Sequence, residues 1–380
     1  MNRIRANMNN TFENIPKPYL PEKLPFDYTS IYTDPQIIKL VSKAGIAIGT
    51  YEGFLASIIN PMLLISPLLS QEAVLSSKLE GTHATLEDLL NYEAGNKVDI
   101  ERDELHEIIN YRKALFYALE NITTINNNKS KGLPLSNRII KEMHKILLDN
   151  VRGNSKNPGN FKRNQNYIGS RTTISYTPVP AEQTMEYMSN LEQYMHHDDL
   201  DLLVQSAIVH AQFEMIHPFE DGNGRIGRLL IPLFLYYQEL LSYPTFYMSS
   251  YFESDRSLYI SHLSNISKDN NWKDWFKYYL EGVIFSAEES TKKAQDILNL
   301  YNKMKEEIIP KLNSVSGIQL LDFIFSSPIF KAKQVSEHLN ISERTVYTLL
   351  NKLIDEEFLS TDSAQRNRTY FCPQLLRIVQ

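Results

Sequence analysis

The chain is predicted to be mainly α-helical, with a large helical core interrupted by one small β-hairpin and a compact C-terminal helix-turn-helix carrying a β-wing. Three observations point there. Apolar residues recur at spacings of three and four over long segments. Glycine is scarce, at 14 of 380 residues. In the central region only one stretch, 166–180, reads as two β-prone runs joined across a polar turn.

Taken in order, residues 1 to about 35 are rich in Pro, Asn and Tyr and are expected to wrap the surface as an extended arm. Asp34-Pro35 marks a helix start, with Asp34 as N-cap and Pro35 in the first turn. Helices are expected to follow through Glu80, and Thr85-Leu86-Glu87-Asp88 starts the next one as a capping-box variant. From about Arg102 to Ser290 the pattern is that of one helical core. Pro61, Pro232 and Pro310 each mark a kink or boundary. Within the core, Leu202 to Phe213 has the spacing of a buried amphipathic helix. Pro218 ends it, because a proline pushes its predecessor out of the right-handed helical region. Asn166-Tyr167-Ile168-Gly169 and Ile174 to Pro180 flank Ser170-Arg171-Thr172-Thr173 as a hairpin. After Pro310, helices are expected over Ile318–Phe325, Ala332–Leu339 and Ser342–Leu353, then a wing from Phe358–Thr361 and Thr369–Phe371. The short link Asn340-Ile341-Ser342 gives a helix-turn-helix, and the whole resembles a winged helix.

Hydrophobic content of 42% and charged content of 22% are ordinary for a water-soluble globular protein, and the length allows two or three domains. A net charge of −6 makes no global case for nucleic acid or an anionic membrane. The single cysteine, Cys372, has no internal partner for a disulfide, and the N-terminal stretch lacks an apolar core of signal-peptide length. No run is long enough to span a bilayer, so a cytoplasmic setting is expected. In residues 316–380, Lys331, Lys333, Arg344, Lys352, Arg366, Arg368 and Arg377 are balanced by Asp322, Glu337, Glu343, Asp355, Glu356, Glu357 and Asp362. Only the wing is locally basic, which leaves protein contact and DNA binding both open for this unit.

The chemistry is concentrated in His217 to Arg228, HPFEDGNGRIGR. Helical spacing resumes at Gly224, so Gly222, Asn223 and Gly224 lie at a helix N-terminus, where unpaired N–H groups and the positive dipole end suit a phosphate. Arg225 and Arg228 are three apart and share a face that can clamp a polyphosphate. His217 is a general-base candidate and Asp221 a magnesium carboxylate. A zinc site is not expected: HExxH and comparable clusters are missing, and His83, His144 and His210 read as helix-packing or surface residues.

His217-Pro218-Phe219-x-Asp221-Gly222-Asn223-Gly224-Arg225-x-x-Arg228 resembles the signature of the Fic family, whose members mostly transfer AMP from ATP to a protein hydroxyl. The resemblance implies a Fic-type helical core with ATP and Mg2+ as cofactors. His217 is then the base, Asp221 the metal ligand and Phe219 a core plug. The backbone of Gly222, Asn223 and Gly224 holds the α- and β-phosphates, Arg225 the β- and Arg228 the γ-phosphate. The implied nucleotide contacts are Glu80, Pro218, Phe219, Glu220, Gly222, Asn223, Gly224, Arg225, Arg228, Asp255 and Tyr259. Phosphate-transferring relatives lose the second glycine of the loop; this chain keeps Gly224, so the α-phosphate is expected to face His217.

Ser76-Ser77-Lys78-Leu79-Glu80-Gly81 resembles the family's inhibitory helix, Ser/Thr-x-x-x-Glu-Gly/Asn. By that resemblance Ser76, Glu80 and Gly81 are inhibitory, and Glu80 pairs with Arg228 in the γ-phosphate site. The hairpin is similar to the flap along which a target segment adds as a strand. Tyr251 to Tyr259 resembles the helix that closes over the adenine, with Asp255 where the family often has Asn. The domains are expected at 1–100 (arm and inhibitory region), 101–300 (catalytic core) and 311–380 (winged helix). Expected partners are a target protein on the flap, the chain itself as acceptor, a second copy in a homodimer and DNA at the winged helix, with no membrane. A DNA-binding regulator with a nucleotide-sensing core and an enzyme that removes AMP are the alternatives.

Overall fold

The computed structural model describes residues 15–58, 62–124, 132–151, 155–170, 172–312, 316–364 and 366–380. Residues 15–28 run extended along the core and are tied down by backbone. Tyr19 N–H donates to Thr177 O, Asn190 brackets Leu24 through both N–H and C=O, and Gln212 donates to Glu22 O. A short helix α1 (Thr29–Tyr32) precedes α2 (Pro35–Ala56), where Asp34 accepts from Gln36 N–H as the start signal required. Then come α3 (Met62–Lys78) and α4 (Leu86–Glu93), the latter opened by the reciprocal Thr85–Asp88 capping box. α3 stops at Lys78, so Glu80 lies in the turn beyond it instead of inside the helix. Pro61 lies outside the described residues.

The core is built from α5 (Arg102–Asn121), α6 (Asn137–Leu147), the hairpin β1 (Ile168–Gly169) and β2 (Ile174–Tyr176), then α7 (Thr184–Met195), α8 (Leu202–Ile216) and α9 (Asn223–Tyr237). The hairpin strands pair antiparallel, Ile168 opposite Tyr176. α8 departs from the amphipathic expectation. Every residue from Leu203 to Phe213 is buried, as in a central helix surrounded on all sides. Most of its polar residues find a partner: Gln205 donates to Tyr194 O and His197 O, and Ser206 shares a hydrogen bond with Tyr279 OH. Pro232 sits inside α9 without ending it.

Two short helices, α10 (Ser249–Ser254) and α11 (Arg256–Asp269), lead into α12 (Trp272–Leu312), which packs along α2. The single helix runs past both Ser290 and Pro310, with Pro310 in its last turn. The C-terminal unit comprises α13 (Gly317–Ser326), β3 (Ile329–Lys331), α14 (Ala332–Leu339), α15 (Glu343–Asp355), β4 (Ser360–Thr361), β5 (Thr369–Phe371) and α16 (Pro373–Val379). Its antiparallel sheet has the order β3-β5-β4. β3 and α16 were not foreseen, the first for want of alternation in three residues. The second was announced by Pro373 in its first turn. The unit docks on the N-terminal helices: Lys331 Nζ donates to Gly95 O, Gln334 Nε2 to Glu93 O and Ser66 Oγ to Ser326 O. Among the described residues no helix is long and apolar enough to cross a membrane.

Candidate active site

α8 and α9 are joined by a six-residue turn, 217–222, whose two ends both adopt left-handed backbone. His217 is the C-cap of α8 at φ 50°, ψ 62°, and Gly222 the N-cap of α9 at φ 79°. Pro218 thus does end α8, but by sending His217 into the left-handed region instead of an extended one. Such a conformation is uncommon for a residue with a side chain and clusters at functional sites. At 222 the positive φ favours glycine, and a Cβ there would also press on Leu147 and His144.

The interior of the loop is fixed by packing. Phe219 is fully buried, stacked 3.7 Å from the His144 ring and flanked by Phe161 and Phe213. Asn223 uses its side chain to close the loop: Oδ1 accepts from Phe219 N–H and Nδ2 donates to Phe219 O, both at 2.8 Å. His144, from α6, is a loop-holding residue and not mere helix packing. Gly159 N–H donates to its Nδ1, which leaves Nε2–H to donate to Asp221 O at 2.8 Å. The ring is therefore the neutral tautomer protonated on Nε2.

The two arginines of α9 point to different partners. Arg225 Nη1 lies 3.0 Å from Glu107 Oε2 of α5, with both side chains buried, and its Nη2 lies 3.7 Å from Asp221 Oδ1. Arg228 is gripped by the end of α3: Nε donates to Ser76 Oγ and Nη2 to Ser76 O, each at 2.8 Å, and Nη2 reaches Glu80 Oε1 at 3.0 Å. The Glu80 carboxylate rests directly on the first turn of α9, where a Cβ at Gly224 would overlap Glu80 Oε1. Glycine is needed there for close approach, and the place it opens is held by a carboxylate.

Burial alone would lower the Arg228 pKa, but Glu80, Tyr259, Glu214 and Tyr111 outweigh it and hold the value above that of an ordinary arginine. Burial pushes Glu72 up to about 7, partly relieved by hydrogen bonds from Ser249 and Tyr111 and by Arg228. Glu214 is also raised to about 7 by burial, with Arg228 opposing and Glu80 reinforcing the shift. His210 is driven down to about 3 by burial and stays neutral. Its Nδ1–H faces Gly227 O and its Nε2 accepts from Tyr259 OH.

The remaining predicted residues are placed as follows. Pro218 is buried, while Glu220 and Asp221 are partly exposed beside the cradle. Tyr259 is buried, stacked on Phe252 and turned toward His210. Asp255 caps α11 by accepting from Leu258 N–H, so the two are not brought together at one polar surface. Gly81 completes the turn after Glu80. Sequence reasoning missed Glu107, His144, Glu72, Glu214, Lys162 and Asn166. The run Gly159 to Asn166 was visible as the approach to the hairpin, but nothing in it signalled contact with the loop.

A family profile described as Fic/DOC family N-terminal matches residues 38–120, and one described as Fic/DOC family matches residues 134–235. Protein adenylyltransferase fic-1 of Caenorhabditis elegans is 32% identical over 99 residues, 25% of this chain and 18% of that protein. Protein adenylyltransferase Fic of Drosophila virilis is 32% identical over 134 residues, 34% of this chain and 24% of that protein. The chain thus matches less than a quarter of the length of each of these relatives. Among solved structures, a Fic family protein from Desulfovibrio desulfuricans G20 has a TM-score of 0.60 at 18% identity, covering 92% of this chain and 98% of that one. A Fic domain containing signaling protein from Bacteroides thetaiotaomicron VPI-5482 has a TM-score of 0.53 at 20% identity, covering 68% and 97%. At these identities the likenesses establish a shared, mainly helical fold.

Proposed function

Because the chain belongs to the Fic/DOC family, we propose that it transfers AMP from ATP to a Ser, Thr or Tyr hydroxyl of a protein, itself included, and that Glu80 restrains the reaction. The single observation that supports this best is the loop itself. It sets a histidine at the end of one buried helix and an anion-binding N-terminus at the start of the next, with two buried arginines on the same helix.

In this reading the acceptor oxygen attacks the α-phosphorus and its proton passes to the His217 imidazole. The new O–P bond forms as the bridging bond from the α- to the β-phosphate breaks, and pyrophosphate leaves. The N–H groups of Gly222, Asn223 and Gly224 stabilise charge on the non-bridging oxygens. Arg225, held by Glu107, faces the β-phosphate, and Arg228 the γ-phosphate. Asp221 fits as a magnesium ligand. Its carboxylate is partly exposed at the rim of the loop, and that ion takes one or two carboxylates and otherwise water and phosphate oxygens. When bound it neutralises phosphate charge.

Glu80 competes with the γ-phosphate for Arg228 and leaves no room for it against Gly224. The hairpin β1–β2 lies beside this loop and is read as the flap that presents the acceptor segment. The same reading divides the chain into 1–100, 101–300 and a winged helix at 311–380. The contacts of that last unit with α4 favour an intramolecular role over DNA binding. His217→Ala should lower AMP transfer by roughly a hundred- to ten-thousand-fold while ATP binding persists. Labelling at the parent rate, followed by mass spectrometry of the labelled protein, would remove His217 from the reaction.

A further inference from the structure

A helix leaves its last carbonyls without partners inside the helix, and α8 ends where the candidate base begins. Those carbonyls are taken up by the hairpin and the segment that leads to it. Met215 O accepts from Tyr176 OH at 2.9 Å, and Ile216 O from Lys162 Nζ at 3.1 Å. His217 O accepts from Asn166 Nδ2 at 3.1 Å, Pro218 O from the backbone N–H of Lys162 at 2.8 Å, and Phe219 O from Asn166 Nδ2 at 2.9 Å. Five consecutive carbonyls, 215 to 219, therefore face three residues of one neighbouring segment. Lys162 Nζ also donates to Asn166 Oδ1 at 2.9 Å, which fixes the amide so that its N–H groups point at the loop.

This arrangement is costly in isolation. Lys162 is 3% exposed, and burial drives its pKa down to about 7. Its position at the negative end of the α8 dipole offsets part of that cost. A plain cap would need one donor, whereas here the donors follow the chain through its left-handed turn and two residues past it.

We propose that Lys162, Asn166 and Tyr176 are positioning residues that lock His217 to the β1–β2 hairpin, so that one rigid piece places both the base and the incoming hydroxyl. The inference rests on His217 as base and the hairpin as flap. Asn166 is two residues before β1, and Tyr176 lies in β2, so the lock grips the segment leading into the first strand and the end of the second. A misplacement of about 1 Å in such a constellation costs roughly a hundred-fold in rate.

The test uses the full chain with Glu80→Gly as parent. Asn166→Asp keeps an oxygen for Lys162 but has no N–H for the carbonyls of His217 and Phe219. AMP transfer should fall roughly thirty- to hundred-fold, with the Kd for ATP and the number of ATP sites per chain unchanged. Tyr176→Phe, a milder change, should cost about five-fold. In 15N spectra the His217 ring signals should shift or broaden in Asn166→Asp while those of His210 stay in place. Transfer at the parent rate with unchanged His217 signals overturns the inference, and so does a parallel loss of transfer and ATP binding. A parent that transfers no AMP but whose His217 signals respond to Asn166→Asp supports the lock and instead overturns the assigned reaction.

Discussion

Arg225 and Arg228 stand one turn apart on α9, are equally buried, and each faces a carboxylate at 3.0 Å, yet the two pairs are different devices. Glu107 comes from α5 in the middle of the core and its side chain is 3% exposed, so the Arg225 pair cannot open without disrupting the fold. Glu80 comes from a turn after α3, its side chain is 23% exposed, and Ser76 shares the load on Arg228. The distance between charges is the same. In the proposed reading, the partner's attachment makes Arg225 a scaffold and Arg228 a switch.

The largest expected effect breaks the scaffold pair. Glu107→Ala takes the nearer carboxylate from a buried guanidinium and leaves it only the more distant Asp221, which should cost about 3–5 kcal/mol in urea unfolding. A midpoint unchanged from the parent would erase the distinction between the two arginines. Next in size is the switch. Glu80→Gly should raise auto-labelling with radioactive ATP roughly ten- to hundred-fold, matching about 1.4–3 kcal/mol of restraint. Its unfolding midpoint should move much less than that of Glu107→Ala. Adding Arg228→Ala should remove most of the gain, and equal or lower labelling by the single variant in a folded protein would refute the restraint.

Ser76→Ala sharpens the comparison further. It removes the hydroxyl partner of Arg228 Nε but leaves the backbone carbonyl and Glu80, so a rise in labelling of about five-fold is expected, from about 1 kcal/mol. A rise as large as that of Glu80→Gly would shift the restraint from the carboxylate to the serine. The smallest effect concerns Glu72, whose pKa burial raises and the nearby Arg228 partly pulls back. Its folded pKa is raised to about 7, so the folded state holds a proton that the unfolded state has released. That contribution is present below about 4.5 and is lost as pH rises to about 7. Glu72→Gln keeps an oxygen for Tyr111 and Ser249 but cannot titrate, so its Tm should fall less than the parent's between pH 4.5 and 7. Parallel Tm curves would show that Glu72 stays ionised.

The same contrast explains what could be read from the sequence. His217 to Arg228 is contiguous, so its chemistry lies in plain order along the chain. Glu80 could be found because Ser76 to Gly81 is a compact pattern of its own. Glu107, in Glu104-Leu105-His106-Glu107, looks like one more charge on a solvated face, and only the packing of α5 against α9 makes it a core carboxylate. His144 and Asn166 are hidden for the same reason, because they bond to backbone oxygens, which leave no trace in side-chain patterns. Caps were legible at Asp34 and Thr85 because a cap and its recipient are neighbours in sequence. The extent of α12 was not, because packing along α2 carries it past both expected boundaries.

Glu80 and Arg228 are 148 residues apart in one polypeptide. If Glu80 is the brake, it is a competitor that diffusion never removes, present at a local concentration set by the fold and not by the amount of protein. Dilution would not release it and higher expression would not strengthen it. Resting output per molecule would then be independent of abundance, and only an agent that favours the opened state, such as nucleotide in excess, could shift it, by about 1.4 kcal/mol for each tenfold rise in its concentration above saturation.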